Sequence, residues 1–209
     1  MSKLIRNRQS LLVLLLASII LLLNQACVSA PNRVVRSVQL VKGDQTVMVG
    51  DLDETGKENK QGFDAYMAGD SAKAYKLWKP LAEEGDAGAQ NNLGHLYLTG
   101  IEGVPRDIAE AMKWYHKAAE QWHASAHFSI GMSYLLGLGL LDRDDEEGFK
   151  WIRKSAEQGY EYAQYFLGNA YAKGWGEVIP QDDTEAAKWM RKAATQGNFD
   201  AQRYLKNME

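Results

Sequence analysis

From Gly62 onward the apolar and small residues of the chain fall into a frame that returns every 37 or 38 residues. The segments Ala89-Gln90-Asn91-Asn92-Leu93-Gly94, Ala126-His127-Phe128-Ser129-Ile130-Gly131 and Ala163-Gln164-Tyr165-Phe166-Leu167-Gly168 share it, and Ala201-Gln202-Arg203-Tyr204-Leu205 begins a fourth copy. Tyr97, Tyr134 and Tyr171 each follow the glycine by three residues. Ala89, Leu93, Gly94 and Tyr97 then lie on one helical stripe, which predicts a first helix, A, in every unit. Self-similarity at this period marks stacked supersecondary units, each burying its apolar face against the next.

A second helix, B, follows a turn with paired glycines: Gly100 and Gly103, Gly137 and Gly139, Gly174 and Gly176. Its start is announced by Asp107, Asp144 and Asp182, each with a glutamate three residues on (Glu110, Glu147, Glu185), the spacing of a reciprocal capping box. Val104, Leu141 and Ile179 sit three residues before these caps and should pin the loop to the helix. Trp114, Trp151 and Trp189 recur inside helix B with Lys117, Lys154 and Lys192 three residues later. The tryptophans are expected to fill gaps between units, because a buried indole contributes a large apolar area. Gly85, Gly159 and Gly197 suit left-handed helix ends. Glycine inside a helix costs about 1 kcal/mol relative to alanine, so the recurrence of Gly94, Gly131 and Gly168 predicts close backbone approach there.

The frame Ala-Gln-x-x-Leu-Gly-x-x-Tyr, followed by paired glycines, Asp107, Ala111, Trp114-Tyr115-x-Lys117-Ala118-Ala119-Glu120-Gln121, resembles the Sel-one-like repeat family, relatives of the tetratricopeptide repeats. The resemblance implies an all-α fold, a right-handed α-solenoid of antiparallel helix pairs. It spans residues 61–209 as a half-unit (62–85), three units (86–122, 123–159 and 160–197) and a trailing helix (198–209). Three residues depart from the family: Trp122 replaces the terminal glycine, Gly148 the helix B alanine and Lys206 the last helix A glycine. Lys206 and Glu209 give the final helix a polar face, as expected of a repeat with no neighbour to cover it.

Residues 1–30 read as an export signal: Lys3, Arg6 and Arg8 precede the unbroken apolar run Leu11 to Leu23, and small and polar residues follow. That run is shorter than the roughly 20 residues of a membrane span. Cys27, the only cysteine, stands in Leu23-Asn24-Gln25-Ala26-Cys27. This is similar to a lipoprotein signal, with Asn24 where leucine is usual and Ala26 in keeping; cleavage near Ser29 or Ala30 is the competing reading. Residues 31–60 carry Gly43, Gly50, Gly56 and many charges, and are expected to be a flexible arm with some β-prone alternation between Arg33 and Val49. The expected location is the periplasm, with outer-membrane anchoring if Cys27 is lipidated.

Charge narrows the partners. The net charge of −3 hides an imbalance, because the three basic residues of the signal leave 21 basic against 27 acidic side chains in the rest. Such a chain does not suit nucleic acid. No His-Glu-x-x-His, phosphate-binding loop or nucleophile elbow occurs, and no cofactor is implied. His123 and His127 have the i, i+4 spacing of two metal ligands without a third, so ordinary packing is the stronger reading. The acidic run Asp142 to Glu147 lacks the glycine and alternation of a calcium loop.

These features point to a protein partner and away from catalysis. In tetratricopeptide-like stacks the A helices line the concave surface, which nominates Asn91, Asn92, His95, Phe128, Ser129, Met132, Tyr165, Phe166 and Asn169. Tyr160 and Tyr162 extend an aromatic stretch, and Trp122 and Trp175 are candidates at a helix end and in a loop. Aromatic residues anchor interfaces and also fill cores. The resemblance implies an envelope scaffold or adaptor; an immunity or inhibitor protein against a secreted toxin is the alternative, and an enzyme acting on cell-wall peptides or β-lactams a third role.

Overall fold

The structure, a computed structural model, describes residues 38–42, 45–49, 57–138 and 142–208. The signal, Cys27, Gly139, Leu141 and Glu209 lie outside the described residues. Within the arm, β1 (Val38–Lys42) pairs antiparallel with β2 (Gln45–Val49), Leu40 opposite Val47. The helices are α1 (Lys57–Met67), α2 (Ser71–Glu84), α3 (Ala87–Thr99), α4 (Ile108–Glu120), α5 (Ala124–Leu136), α6 (Asp145–Glu157), α7 (Glu161–Lys173), α8 (Asp183–Thr195) and α9 (Phe199–Lys206). Packing runs chiefly between consecutive helices, which makes the body an α-solenoid. The A helices are α1, α3, α5, α7 and α9; the B helices are α2, α4, α6 and α8. The first unit is a complete pair and not the half expected, because α1 supplies its A helix without the repeat's sequence frame. Gly62 takes the place of close approach there, facing the Trp78 indole.

Local chemistry explains the boundaries. Asp107, Asp144 and Asp182 accept hydrogen bonds from the backbone N–H of Glu110, Glu147 and Glu185. The glutamates, however, do not return to the caps. The cap N–H groups of Asp107, Asp144 and Asp182 instead donate to the carbonyls of Tyr97, Tyr134 and Tyr171. Each glutamate is thereby freed to pair with the lysine one turn on, Lys113, Lys150 or Lys188. Glu147 and Glu185 also accept from the indoles of Trp151 and Trp189. The reciprocal half of the capping box is therefore replaced by a bond that ties helix B to the helix A before it.

The repeated glycines mark close contact. A Cβ on Gly131 would lie 2.6 Å from Ile152 Cγ1 and 2.7 Å from the Gly148 carbonyl oxygen, while one on Gly148 would lie 3.0 Å from the Gly131 oxygen. The Gly148 departure thus lets α5 and α6 approach backbone to backbone. Val104 and Ile179 are buried as expected, each closing a short bridge, Ile101 with Val104 and Trp175 with Ile179. Trp78, Trp114 and Trp189 are buried and Trp151 is half-buried. Lys117, Lys154 and Lys192 lie 4.1, 4.5 and 4.2 Å from the ring centroids of Trp114, Trp151 and Trp189, cation–π contacts repeated in the three units after the first.

Candidate functional site

The A-helix candidates separate into two groups. Asn91, Asn92, His95, Phe128, Tyr165 and Phe166 are buried, so they do not form a ready-made exposed surface. Met132, Tyr162, Asn169 and Trp175 are half-buried. These positions are covered by side chains of neighbouring A and B helices and, at α3 and α5, by β2 lying against the helices. Phe128 meets Tyr160 and Phe166 at centroid distances of 5.6 and 6.0 Å, and Phe166 and Phe149 both meet Trp175. Trp175 is held further by its indole N–H, which donates to Asp145 at 3.0 Å. Tyr165 packs with Met190, Ala193 and Ala201, and Asn169 donates to its carbonyl.

The N-terminal A helices meet through polar groups instead. Asn92 donates to Asn59, which donates to Asp86, both at 3.4 Å, and Tyr66 and His95 share a 3.5 Å contact. Asn91 Oδ1 is buried without a hydrogen-bond partner. Burial pushes the His95 pKa down to about 4 and raises that of Tyr66, so both rings stay neutral at pH 7. These shifts have burial as their cause; no charged partner of the kind that tunes a general acid or base is involved. His127 Nδ1 lies 3.0 Å from the His123 carbonyl and His123 Nδ1 lies 3.2 Å from Ser125 Oγ, and among the described residues no cluster of three His, Cys, Asp or Glu could hold a metal.

One feature of this geometry was not legible in any single unit. Gln121, at the end of helix B, donates both to the carbonyl of Gly85 and to Gln90 Oε1 at 2.9 Å, while Gln90 donates to the Ala82 carbonyl. Gln196, Gln164, Gly159 and Ala156 repeat this clasp with bonds of 2.7 to 3.1 Å. Each clasp joins the ends of two B helices through the A helix between them, which is why the frame carries glutamine at both positions. The Sel1 repeat pattern matches residues 61–86, 87–121, 124–160 and 161–198, the intervals that these clasps divide.

The chain belongs to the Sel1 repeat family. Its fold is similar to those of solved Sel1-type structures. A Sel1 repeat protein from Oxalobacter formigenes is 35% identical with a TM-score of 0.55, over 62% of this chain and 95% of that one. A protective antigen of uropathogenic Escherichia coli, c5321, which displays an SLR fold, is 31% identical with a TM-score of 0.60 over 72% of this chain. This Sel1 repeat chain spans about a third of the antigen, 32% of its length. The immunity protein Pa5087 from Pseudomonas aeruginosa, 18% identical over 72% of this chain and 70% of that one with a TM-score of 0.39, is too remote to inform function. No curated protein matches the chain.

Sel1 repeats build interaction scaffolds, and in this one the middle repeat is irregular. His127 occupies the clasp glutamine's position and turns to the His123 carbonyl, which leaves Nε2 and Oε1 of Gln158 buried and unpaired. Trp122, at the preceding helix end, has φ 62°, where Gly85, Gly159 and Gly197 have 106°, 94° and 93°. Holding a bulky residue in this region costs about 1–2 kcal/mol.

Proposed function

We propose that this chain is a non-catalytic protein-binding scaffold of the bacterial cell envelope, exported through residues 1–30 and holding a partner protein on its A-helix side. The observation that carries the reading is a constant frame with a changing face. Ala89, Leu93 and Gly94 and their counterparts keep one structural duty in the three units that carry the frame, whereas the matched position changes from the buried His95 to Met132 and Asn169. Met132 and Asn169 are only half-buried. A stack of this kind offers an extended surface whose chemistry varies along its length, as protein recognition requires. Cys27 supplies an outer-membrane lipid anchor in this reading, and the β2 strand of the arm lies against α3 and α5.

Affinity capture of the tagged chain from native envelopes, beside a Met132→Glu, Asn169→Glu variant, tests the proposal. Tyr165 is core and is left in place. A near-stoichiometric protein that is lost from the variant, with the helical circular dichroism retained, is the expected result. Equal capture by both versions would remove the A-helix surface from the argument, and capture of no protein by either would end the scaffold reading.

A further inference from the structure

Departures from the repeat at Trp122, His127 and Trp151 converge on one seam. Trp122 stands where the other units place glycine, His127 where they place glutamine, and Trp151 is half-buried where Trp78, Trp114 and Trp189 are buried. Their rings form a continuous row. Trp122 stacks on His127 at 6.2 Å and 30°, His127 meets Trp151 at 5.4 Å, and Trp151 meets His116 edge-on at 5.6 Å. Lys154 places its ammonium 4.5 Å from the Trp151 centroid. Trp122 is 74% exposed, more than any other large hydrophobic side chain among the described residues.

Glycine serves the same helix end in three other places, and glutamine at position 127 would close the clasp. An exposed indole on left-handed backbone is opposed by water and by the backbone together, a combination characteristic of functional positions.

We propose that this row is a second docking surface, separate from the A-helix face, that takes an acidic and apolar peptide segment of a partner protein. An aliphatic or aromatic side chain of the segment packs on Trp122 and Trp151, and a neighbouring carboxylate pairs with Lys154, whose ammonium has donors to spare beyond the indole. The polar groups on the row decide for a peptide over a sugar ring. A pyranose stacked on tryptophan needs donors and acceptors around its rim for its hydroxyls. Here Gln158 Nε2 and Oε1 are sealed from the surface, and His127 Nδ1 is occupied by the His123 carbonyl. What the row offers outward is aromatic area and the Lys154 ammonium; the Glu147 carboxylate that accepts from the Trp151 indole N–H is itself paired with Lys150.

The test is selection of a displayed peptide library on the full chain, followed by calorimetry with the enriched peptide. Enriched sequences should place Leu, Phe or Trp beside Asp or Glu. Trp122→Gly, which gives the backbone the residue used in the other units, should weaken binding by about tenfold or more, as loss of an aromatic anchor does. Lys154→Glu should weaken it by a similar factor, about tenfold, while Met132→Glu should leave it unchanged. Failure to enrich any peptide, enriched peptides indifferent to Trp122→Gly, or Trp122-dependent binding of a chito-oligosaccharide in place of peptide would each overturn the proposal. A peptide released by Met132→Glu and not by Trp122→Gly would overturn it while leaving the A-helix scaffold standing.

Discussion

At the third seam of the stack, Gln196 ties Gly159 to Gln164; at the second, Gln158 has the same position and no partner. The two side chains are identical and sit at the same point of the repeat, so their different fates come from what surrounds them. Gln164 offers an amide oxygen, whereas His127 offers an imidazole already turned to its own helix end. In a repeat protein each seam is a nearest-neighbour term in a nearly additive sum. The comparison shows that the middle seam lacks the polar clasp and has the Trp122, His127 and Trp151 rings in its place.

The largest test strikes the backbone contact between Gly131 and Gly148. Gly131→Leu forces a side chain into the 2.7 Å gap before the Gly148 oxygen, and should destabilise the fold by about 3 kcal/mol or more, as severe overpacking does. Alanine at the matched glycines grades the same effect: Gly131→Ala should cost most and Gly168→Ala least. Gly168 faces the flexible Met190 side chain at 3.0 Å, whereas Gly94 faces the Tyr115 ring and the Ala111 oxygen. Urea midpoints of the series give the order, and equal midpoints would refute close packing as the reason for these glycines.

The buried histidines differ as the seams do, and pH separates them. Burial lowers the His95 pKa from 6.5 to about 4, so between these values the unfolded chain binds a proton that the folded chain excludes. The resulting stability is complete above pH 6.5, declines as pH falls, and is exhausted near pH 4, a loss of up to about 3 kcal/mol. Urea unfolding at pH 7 and pH 4.5 measures it. His95→Gln should flatten this slope more than His127→Gln, whose ring is also shifted down by burial but stands in the open seam.

The clasp itself should be worth less than either effect. Gln196→Ala removes two hydrogen bonds and leaves the Gly159 carbonyl and Gln164 Oε1 without their partner, at about 1–2 kcal/mol. Gln158→Ala removes an amide that bonds to nothing and should change stability by no more than about 0.5 kcal/mol. A like cost at both positions would mean that the seams are equivalent after all.

How much of this was legible in the sequence follows from how local each device is. The caps at Asp107, Asp144 and Asp182, the left-handed ends at Gly85, Gly159 and Gly197 and the close-packed Gly131 each rest on a residue type with one strong physical use. The return of the capping glutamates was misjudged because the cap N–H finds a tyrosine carbonyl of the preceding helix, a partner that only the packed pair supplies. Asn91, Phe128 and Phe166 were nominated for a surface because amides and aromatics serve interfaces and cores alike. Partners distant in sequence bury them, as Phe166 and Tyr160 bury Phe128 and as Phe149 and Trp175 bury Phe166. The clasp joins glutamines 31 or 32 residues apart. A clue lay in the substitution of His127 within an otherwise fixed Ala-Gln pair.

That substitution can be reversed. His127→Gln restores the frame at the middle seam and should let the clasp form with Gln158, a gain of about 1 kcal/mol for a newly satisfied buried amide. Trp122→Gly should contribute a further gain of about 1 kcal/mol by relieving the left-handed backbone, reduced by whatever the indole gains from its stack. Because the two rings are in contact, the gains should not add, and a double-mutant cycle isolates the coupling. A double variant that is more stable than the natural chain would show that the open seam is retained against stability. The cause must then be sought in what docks on Trp122 and not in how the solenoid folds. A less stable double variant would instead make the aromatic row the glue of the middle seam, a structural substitute for the missing glutamine.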